Sequence, residues 1–261
     1  MKLKKALLGA GLIILVSFVA FYLYLKPKYV VPILMYHHID GRSKTSLVSV
    51  SPQNFRRQMR FLSERNYNVI SLDKFVQDKL NGQEFPRNTV VITFDDGYGD
   101  NFTFAYPVLK EYNLPATIFV ITDFIDKEGY LTSRQIKEML SSGPITIGSH
   151  TLSEAFLPAK NTEELEREIG LSKKLLESKT GGRVDFLCYP FGHFTPQAQE
   201  IVKRYNYLAA CTTNRGKENT YLNDDLFALK RIKIKDSANP IVLYVKLSGY
   251  YNSFRRVRKP Y

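Results

Sequence analysis

The 261-residue sequence has no tryptophan, only two cysteines and only four histidines. Two cysteines are too few to hold a small secreted fold together with disulfides. Cys188 and Cys211 both lie in apolar stretches and lack the spacing of metal ligands, so we expect buried free thiols rather than a bridge. With 44% hydrophobic and 24% charged residues, the composition excludes a disordered chain and indicates a globular one.

Acidic residues are scarce beside basic ones: 25 acids accompany 37 lysines and arginines, a formal net charge of +12. Residues 1–28 hold five lysines and no acid, which leaves +7 for the rest of the chain. A basic domain attracts polyanions, but no nucleic-acid-binding motif is present. We therefore expect an anionic cell envelope as partner, no nucleic acid and no obligate protein partner. A merely solvated basic surface is the alternative.

One stretch of twenty residues, 6–25, carries no charge. Twenty helical residues span about 30 Å, the thickness of the hydrocarbon core of a bilayer. Basic residues flank the stretch on both sides, at Lys2, Lys4, Lys5, Lys26 and Lys28. We predict a single-pass cell-membrane anchor, and the three leading lysines favour a cytoplasmic N-terminus with the remaining domain on the extracellular side.

The predicted organisation is a membrane anchor with basic flanks over residues 1–28 and one folded domain over residues 29–261. A cleaved signal peptide is the alternative, because it would also be apolar and N-terminal. A cut after Ala20 would place Phe18 three residues before the cleavage site, where a small residue is expected. The sequence therefore favours an uncleaved anchor.

The rest of the chain contains no GxGxxG loop, internal repeat or low-complexity tract. Strand-like runs alternate there with helix-like ones, and the predicted strands cover residues 30–37, 67–71, 89–94, 115–121, 144–150, 184–192, 207–213 and 226–234. Regular alternation predicts parallel strands joined by right-handed crossovers. The number of strand–helix units favours one kind of α/β fold, a distorted (β/α) barrel of about seven parallel strands. An open doubly wound sheet is the alternative.

Polar clusters follow several predicted strands, at the ends where such folds carry their reactive groups. These clusters are His37-His38, Asp95-Asp96-Gly97, Ser149-His150-Thr151 and Tyr189-Pro190-Phe191-Gly192. Adjacent carboxylates point in different directions, so one can hold a cation while the other faces a water molecule. A divalent cation makes two close negative charges tolerable, and carboxylate with histidine suits zinc and its neighbours. The pattern indicates metal-assisted hydrolysis, in which the free carboxylate acts as base.

Three motifs, TFDDG (93–97), GSHT (148–151) and YPFG (189–192), stand in an order and spacing that resemble the polysaccharide deacetylase family, carbohydrate esterase family 4. The earlier run PILMYHHI (32–39) is similar to a subgroup that includes exported deacetylases of poly-N-acetylglucosamine. The resemblance implies hydrolytic removal of N-acetyl groups from an envelope or matrix polysaccharide containing N-acetylglucosamine, either peptidoglycan or poly-N-acetylglucosamine.

The resemblance also implies roles for single residues. Asp95 matches the base that acts on a metal-bound water, while Asp96 and His150 match metal ligands. The expected metal is zinc, with cobalt or nickel as alternatives. The expected substrate and oxyanion contacts come from the YPFG motif, at Tyr189, Pro190 and Phe191, with a backbone amide of Phe191 or Tyr189 facing the oxyanion.

Two positions depart from the family pattern. Glu154 stands where the family supplies a third metal ligand as histidine, and it is our candidate for that ligand because glutamate also binds zinc through oxygen. Cys188 stands where the family has an arginine that orients the base. Arg231, in the predicted strand 226–234, is the candidate for supplying that charge.

The family's late Leu-x-x-His motif, which provides the general acid, is missing, so the acid comes from elsewhere or does not exist. We choose His37, at the end of the first strand, because the resemblance to the subgroup implies that an early Tyr-His takes this place. His37 and His38 face opposite ways on an extended strand, so only one of them should point into the site. His193 is the alternative. These departures leave open a catalytically impaired glycan-binding pseudo-enzyme, and an O-acetyl esterase on the same scaffold is not distinguished by the sequence.

Overall fold

The computed structural model describes residues 2–41, 48–216, 225–237 and 239–261. Within these ranges the strands are β1 (Ile33–Tyr36), β2 (Asn68–Ile70), β3 (Thr89–Phe94), β4 (Ala116–Val120), β5 (Ile145–Ser149), β6 (Phe186–Cys188), β7 (Ala209–Cys211) and β8 (Ile232–Lys233). The α-helices are α1 (Lys2–Leu25), α2 (Pro52–Glu64), α3 (Leu72–Leu80), α4 (Tyr106–Glu111), α5 (Ser133–Ser142), α6 (Thr162–Glu166), α7 (Ser172–Thr180), α8 (Pro196–Arg204) and α9 (Pro240–Leu247).

All strand pairings are parallel, and the strands follow the order β7-β6-β5-β4-β3-β1-β8. Strand β2 lies off this path and pairs with the beginning of β3. Val91 of β3 pairs with Ile33 of β1 and with Ile70 of β2, so β1 and β2 occupy opposite edges of β3. Strand β4 joins β3 only from Thr93 onward. The sheet is therefore irregular at this point.

The sheet curls until its two ends meet. Leu229, just before β8, donates its amide to Ala210 (2.9 Å) and accepts from the amide of Thr212 (2.8 Å). On the other side, the amide of Ile234 donates to the carbonyl of Met35 on β1 (3.0 Å). The segment around β8 thus bridges β7 and β1, which confirms the predicted α/β fold with a distorted barrel of parallel strands.

Both faces of the central strands are buried, as their continuous apolar sequences predict. Ile33 and Val91 belong to one apolar cluster with Phe186 on the inside of the curled sheet. The alternate residues of the same strands belong to a second cluster that includes Phe55 and Met59 of helix α2. Because side chains alternate between faces along a strand, α2 packs against one face of the sheet while α3 packs against the inner cluster through Leu72, Phe75 and Val76.

One predicted strand was wrong in detail. The predicted strand 226–234 is a 3₁₀ turn, Leu226–Ala228, followed by the two-residue β8, because the carboxylate of Asp225 accepts the amide of Phe227 (2.8 Å) and favours a turn there. Two helical segments contain π turns: Arg167–Leu171 separates α6 from α7, and Asn101–Ala105 directly precedes α4.

Helix α1 is the one helix in the described part of the chain that is long and apolar enough to cross a membrane. Residues Gly11–Lys28 have a mean hydropathy of 1.5, and none of this window is buried against the protein. A signal sequence would share these features. The helix is therefore a candidate membrane segment, and the organisation into residues 1–28 and 29–261 stays a prediction.

The close packing of β5 against its neighbours gives a test of the fold. A methyl group on Gly148 would lie 2.5 Å from Cδ1 of Phe119 and 3.0 Å from the carbonyl oxygen of Phe186. We expect Gly148→Ala to lower the free energy of unfolding by about 1–3 kcal/mol, because the backbone carbonyl cannot move aside. Gly182→Ala, with open space around the added methyl group, should change it by less than about 0.5 kcal/mol. Urea unfolding followed by circular dichroism measures both, and equal effects would contradict the strand packing.

Candidate active site

The two adjacent aspartates occupy the end of β3, and both are nearly inaccessible to solvent, at 3% exposure for Asp95 and 7% for Asp96. The amide of Asp95 donates to the carbonyl of Tyr36 (3.0 Å), which extends the pairing of β3 with β1 by one residue. Asp96 leaves the strand with a φ of 73°. The left-handed backbone at Asp96 turns its carboxylate away from that of Asp95, so the two carboxylates serve different partners.

The guanidinium of Arg231 holds Asp95. Its Nη1 and Nη2 donate to the two carboxylate oxygens of Asp95 at 2.6 and 2.7 Å, and Arg231 is fully buried. The remaining contacts go to Thr212 O (3.0 Å), Thr93 Oγ1 (3.1 Å) and Cys188 Sγ (3.0 Å). Five contacts match the five N–H donors of a guanidinium, so this side chain is fixed in every direction.

This pairing sets the protonation of Asp95. Burial by itself would raise the pKa of Asp95, but the charge and hydrogen bonds of Arg231 outweigh it and lower the pKa to about 2. The carboxylate is therefore ionised throughout the neutral range. Sequence reasoning named Arg231 as the candidate partner of this base, and the structure brings the two side chains together from β3 and from the residue before β8.

Cys188 lies directly beside this ion pair, since its sulfur is the fifth contact of Arg231. The family's arginine at this position would compete with Arg231 for the same carboxylate. Cys188 and Cys211 are register partners on β6 and β7, and both are buried and free, as expected. Burial raises the pKa of both thiols, which keeps them neutral.

A group of possible metal ligands lies beside the ion pair. Asp96, His150 and Glu154 each offer one ligand atom, and these three atoms lie within 4.8 Å of one another. The Nε2 atom of His150 is 3.2 Å from Oδ1 of Asp96. The Nδ1 atom of the same ring donates to the carbonyl of Cys188 (2.8 Å), which fixes the ring and directs Nε2 to Asp96.

This donor set fits a divalent cation. Burial and the charge of Asp96 raise the pKa of Glu154, and the opposing effect of His150 does not cancel them. Two carboxylates with one imidazole match the nitrogen and oxygen ligands of catalytic zinc sites. A second group, Asp95 with His150 and Cys188, satisfies the same distance limit, but the carboxylate of Asp95 is already bound to Arg231.

The backbone is strained around these ligands. Four residues of the site that are not glycine have a left-handed φ: Asp96 (73°), Thr151 (67°), Glu154 (61°) and Phe191 (56°). This region is uncommon for any residue with a side chain and rare for the β-branched Thr151 and the bulky Phe191. Strain of this kind is concentrated at functional sites, where the surrounding structure enforces it.

The two neighbouring histidines separate as an extended backbone requires. The Nε2 atom of His37 lies 3.9 Å from Oδ2 of Asp95, and burial lowers the pKa of His37. His38 points the other way, where its Nδ1 lies 2.6 Å from Asp100 Oδ2 and its ring stacks on Tyr98. The alternative acid, His193, packs against Phe156 and does not line the cleft that contains Asp95.

The Tyr189-Pro190-Phe191-Gly192 turn follows β6. The amide of Tyr189 donates to the carbonyl of Cys211 (3.0 Å), so it is occupied by the sheet and cannot face an oxyanion. No hydrogen bond of the Phe191 amide is found among the described residues, which leaves it as the candidate oxyanion donor. Phe191 is 57% exposed, while Pro190 is buried and does not line the cleft.

These groups lie in a single cleft of about 830 Å³. Two features of the cleft escaped sequence reasoning. Tyr98 lines it next to Asp96, and its position two residues after Asp96 was the available signal. Six cations also line it: Arg215, Lys233, Lys235, Arg255, Arg256 and Arg258. The alternation in the run Arg-Ile-Lys-Ile-Lys (231–235) was the available signal for Lys233 and Lys235.

Comparison with protein families agrees with this geometry. Residues 82–210 match the family model described as polysaccharide deacetylase. The protein YxkH of Bacillus subtilis (strain 168), whose name places it among the polysaccharide deacetylases, is 32% identical over 207 residues, which cover 78% of this chain and 71% of YxkH. The poly-beta-1,6-N-acetyl-D-glucosamine N-deacetylase of Staphylococcus aureus (strain MRSA252) is 26% identical over 203 residues, which cover 73% of this chain and 69% of that protein.

A solved structure with a similar fold is the Streptococcus pyogenes deacetylase PplD in complex with acetate. Its TM-score is 0.76 at 29% identity, over 83% of this chain and 97% of PplD. The fold therefore agrees with that of this deacetylase over 83% of the chain.

The ion pair predicts a specific energetic coupling. Arg231→Gln leaves the carboxylate of Asp95 buried without a counter-charge, so we expect the free energy of unfolding to fall by about 3–5 kcal/mol. The double variant Asp95→Asn/Arg231→Gln should recover part of this loss, because it removes the uncompensated charge. Urea unfolding of the detergent-solubilised chain measures both.

An ion pair on the protein surface serves as the control for these substitutions in the buried pair. Arg56 pairs with Glu111 where both side chains are about half exposed. Arg56→Gln should therefore cost less than about 1 kcal/mol. A loss in Arg231→Gln as small as this, or strictly additive effects in the double variant, would contradict a buried ion pair.

Proposed function

The chain belongs to the polysaccharide deacetylase family, and we propose that it removes N-acetyl groups from N-acetylglucosamine units of an envelope or matrix polysaccharide. One observation carries this proposal: a carboxylate kept ionised by a buried arginine lies next to a metal-ligand group in one cleft. Such an arrangement suits hydrolysis by water. The S. aureus relative, named for N-deacetylation of poly-N-acetylglucosamine, supports an acetamide as the group attacked.

In this proposal Asp96, His150 and Glu154 hold a divalent ion, for which zinc is the first choice and cobalt or nickel the alternatives. When bound, such an ion polarises the acetamide carbonyl and lowers the pKa of water. Glu154 replaces a neutral ligand by a negative one, and burial together with Asp96 raises its pKa. The cation would therefore lower the electrostatic cost of two close carboxylates.

Asp95 acts as the base in this scheme. It is ionised at neutral pH and can accept a proton from the attacking water. A carboxylate with so low a pKa is a weak base, so we expect the reaction to require a water made more acidic than bulk water. Arg231 fixes both oxygens of Asp95 and thereby sets the direction from which the proton arrives.

His37 and the turn after β6 complete the proposed reaction. A proton on His37 would pass to the leaving nitrogen, and the lowered pKa of this imidazole makes its protonated form a strong donor. The amide of Phe191 would stabilise the oxyanion. Water adds across the C–N bond, and the products are acetate and a glucosamine unit with a free amine.

We place the reaction outside the membrane. The apolar, unburied α1 and the leading lysines at positions 2, 4 and 5 support an anchor with the folded domain on the extracellular side. Envelope and matrix polysaccharides lie on that side. Residues 1–28 would then fix the barrel, residues 29–261, close to its polymer.

The first test measures metal content and acetate release together. We expect the detergent-solubilised chain to bind about one divalent ion and to release acetate from N-acetylglucosamine oligomers. Chelator should abolish the release, and zinc, cobalt or nickel should restore it. Asp95→Asn should lower kcat by about 10²- to 10⁴-fold with the metal still bound, because the ligand group stays intact. Elemental analysis and an acetate assay provide the readouts.

One control variant, one activating variant and one comparison of substrates separate the deacetylase from the two alternative functions. Asp73→Asn, an exposed acid on α3, should leave release unchanged. A parent protein without metal or release, activated by Glu154→His, would instead make the chain a glycan-binding pseudo-enzyme. Release from O-acetylated but not from N-acetylated glycans would make it an esterase.

The role of His37 has a matched neighbour as control. His37→Gln should lower kcat on the acetamide by about 10²-fold or more, because amines leave slowly without a proton donor. The loss should shrink on 4-nitrophenyl acetate, whose leaving group needs no proton. His38→Gln, which faces Asp100, should affect kcat far less. Equal losses in the two variants, or an equal loss on both substrates, would remove His37 from the acid role.

A further inference from the structure

The segment 231–235, which contains β8, lines the cleft with a regular pattern. Ile232 and Ile234 are buried in the core, at 1% and 3% exposure. Arg231, Lys233 and Lys235 alternate with them and all line the cleft. Because side chains of an extended segment alternate between two faces, one face of this segment presents three cations in a row. Within the part of the chain that the structure describes, only the first of them, Arg231, has a carboxylate partner in an ion pair.

A second wall of the cleft is also basic. The segments of Arg215 and Arg258 form a parallel bridge, supported by the amide of Gly216 donating to the carbonyl of Arg258 (3.1 Å). Arg255 is held near Arg231 by donating to its carbonyl (2.9 Å). Arg215, Arg255 and Arg258 line the cleft together with Arg256. Two unrelated parts of the chain thus place cations at the same opening.

Within the described residues, these six cations have no ion-pair partner. No ion pair joins any of them to an acid in residues 2–41, 48–216, 225–237 and 239–261. Burial and the neighbouring Lys235 lower the pKa of Lys233, and burial with the charge of Arg258 lowers the pKa of Arg215. The carboxylates of Asp95 and Asp96 offset only part of this positive charge at Lys233, since its pKa is still lowered. Like charges gathered on these walls raise the free energy of the empty cleft, and an anion would lower it.

We propose that the glycan substrate carries an anionic group, a carboxylate or a phosphate ester, on or next to the sugar whose acetamide is hydrolysed. This inference rests on the proposed function and refines its substrate class. The acetamide would lie over Asp95 and Asp96, while the anion contacts the walls formed by the residues around Lys233 and Arg256. A neutral polymer would leave these cations without a counter-charge.

The same charges influence the product. Each hydrolysis turns a neutral acetamide into an amine that is protonated near neutral pH. The basic walls repel this new cation, which favours product release and disfavours the binding of segments that are already deacetylated. An anionic substituent on the polymer offsets that repulsion. We therefore expect activity on anionic glycans to continue further than on neutral ones.

The experiment compares matched glycans on the full chain in detergent. The substrates are an alternating N-acetylglucosamine/N-acetylmuramic acid tetrasaccharide, its neutral methyl ester, a neutral N-acetylglucosamine tetramer and the same tetramer with a 6-phosphate. Acetate release gives kcat/KM, and fluorescence anisotropy with chelator present gives Kd without turnover. We expect kcat/KM for the carboxylate to exceed that for its ester about tenfold at low salt. The ratio of kcat/KM for the 6-phosphate tetramer to that for the neutral tetramer shows whether a phosphate ester is preferred in the same way as a carboxylate.

Charge removal and salt test the cause of this preference. In Lys233→Gln/Lys235→Gln the ratio of kcat/KM for the carboxylate to kcat/KM for its ester should fall to about threefold or less. In the parent protein, 0.5 M salt should reduce this ratio similarly because the Debye length shortens. Lys137→Gln, an exposed lysine on α5 away from the cleft, should leave the ratio unchanged. Equal kcat/KM for charged and neutral glycans, or a ratio insensitive to the double substitution, overturns the inference while leaving the deacetylase proposal intact.

Failure of the proposed function can be distinguished from failure of the anion-binding inference. Selective binding of the anionic glycans without acetate release from any substrate would overturn the proposed function and support the anion site. Binding without selectivity and without release would overturn both.

Discussion

The buried ion pair between Asp95 and Arg231 is the interaction on which the site depends. It joins the end of β3 to the residue before β8, and Arg231 also contacts Thr212 and Cys188 on the neighbouring segments. Strand β8 has only two residues, and backbone hydrogen bonds of the residues around it join it to β7 and β1. The five contacts of one guanidinium add a side-chain constraint to this pairing, and they keep the carboxylate ionised inside an apolar barrel. Without this pair, the buried charge of Asp95 would destabilise both the sheet end and the cleft.

The ion pair also explains a departure from the family pattern. An arginine is expected at position 188, where this chain has a cysteine, and the positive charge comes instead from Arg231. The sulfur of Cys188 lies 3.0 Å from that guanidinium, so a second arginine at this position would bring two like charges into contact around one carboxylate. The small neutral thiol and the displaced arginine therefore belong together. A charge can move between neighbouring strands because side chains from adjacent strands converge on the same point inside a barrel.

Charges of both signs line the cleft. Asp96 and Glu154 gather negative charge around His150, where a cation fits, while six cations occupy the walls. A strained backbone at Asp96, Thr151 and Glu154 holds the acidic group in place. Such an arrangement suits the proposed substrate, whose acetamide would be attacked beside the acidic group and whose negative charge the cations would bind. The fold provides both groups because segments distant in sequence, around residues 154, 215, 233 and 256, open onto one cleft.

The sequence by itself determined the strand–helix alternation, the family motifs and most of the candidate site residues, because hydrophobic periodicity and motif spacing are local properties of the chain. It also determined that His37 and His38 face opposite ways. Only the tertiary structure decided which partner Asp95 has, that the Tyr189 amide is occupied by the sheet, and that Arg255, Arg256 and Arg258 face the same cleft as Lys233. It also replaced the predicted strand 226–234 by a turn and a short strand. These facts depend on contacts between residues far apart in sequence, and periodicity along the chain carries no information about such contacts.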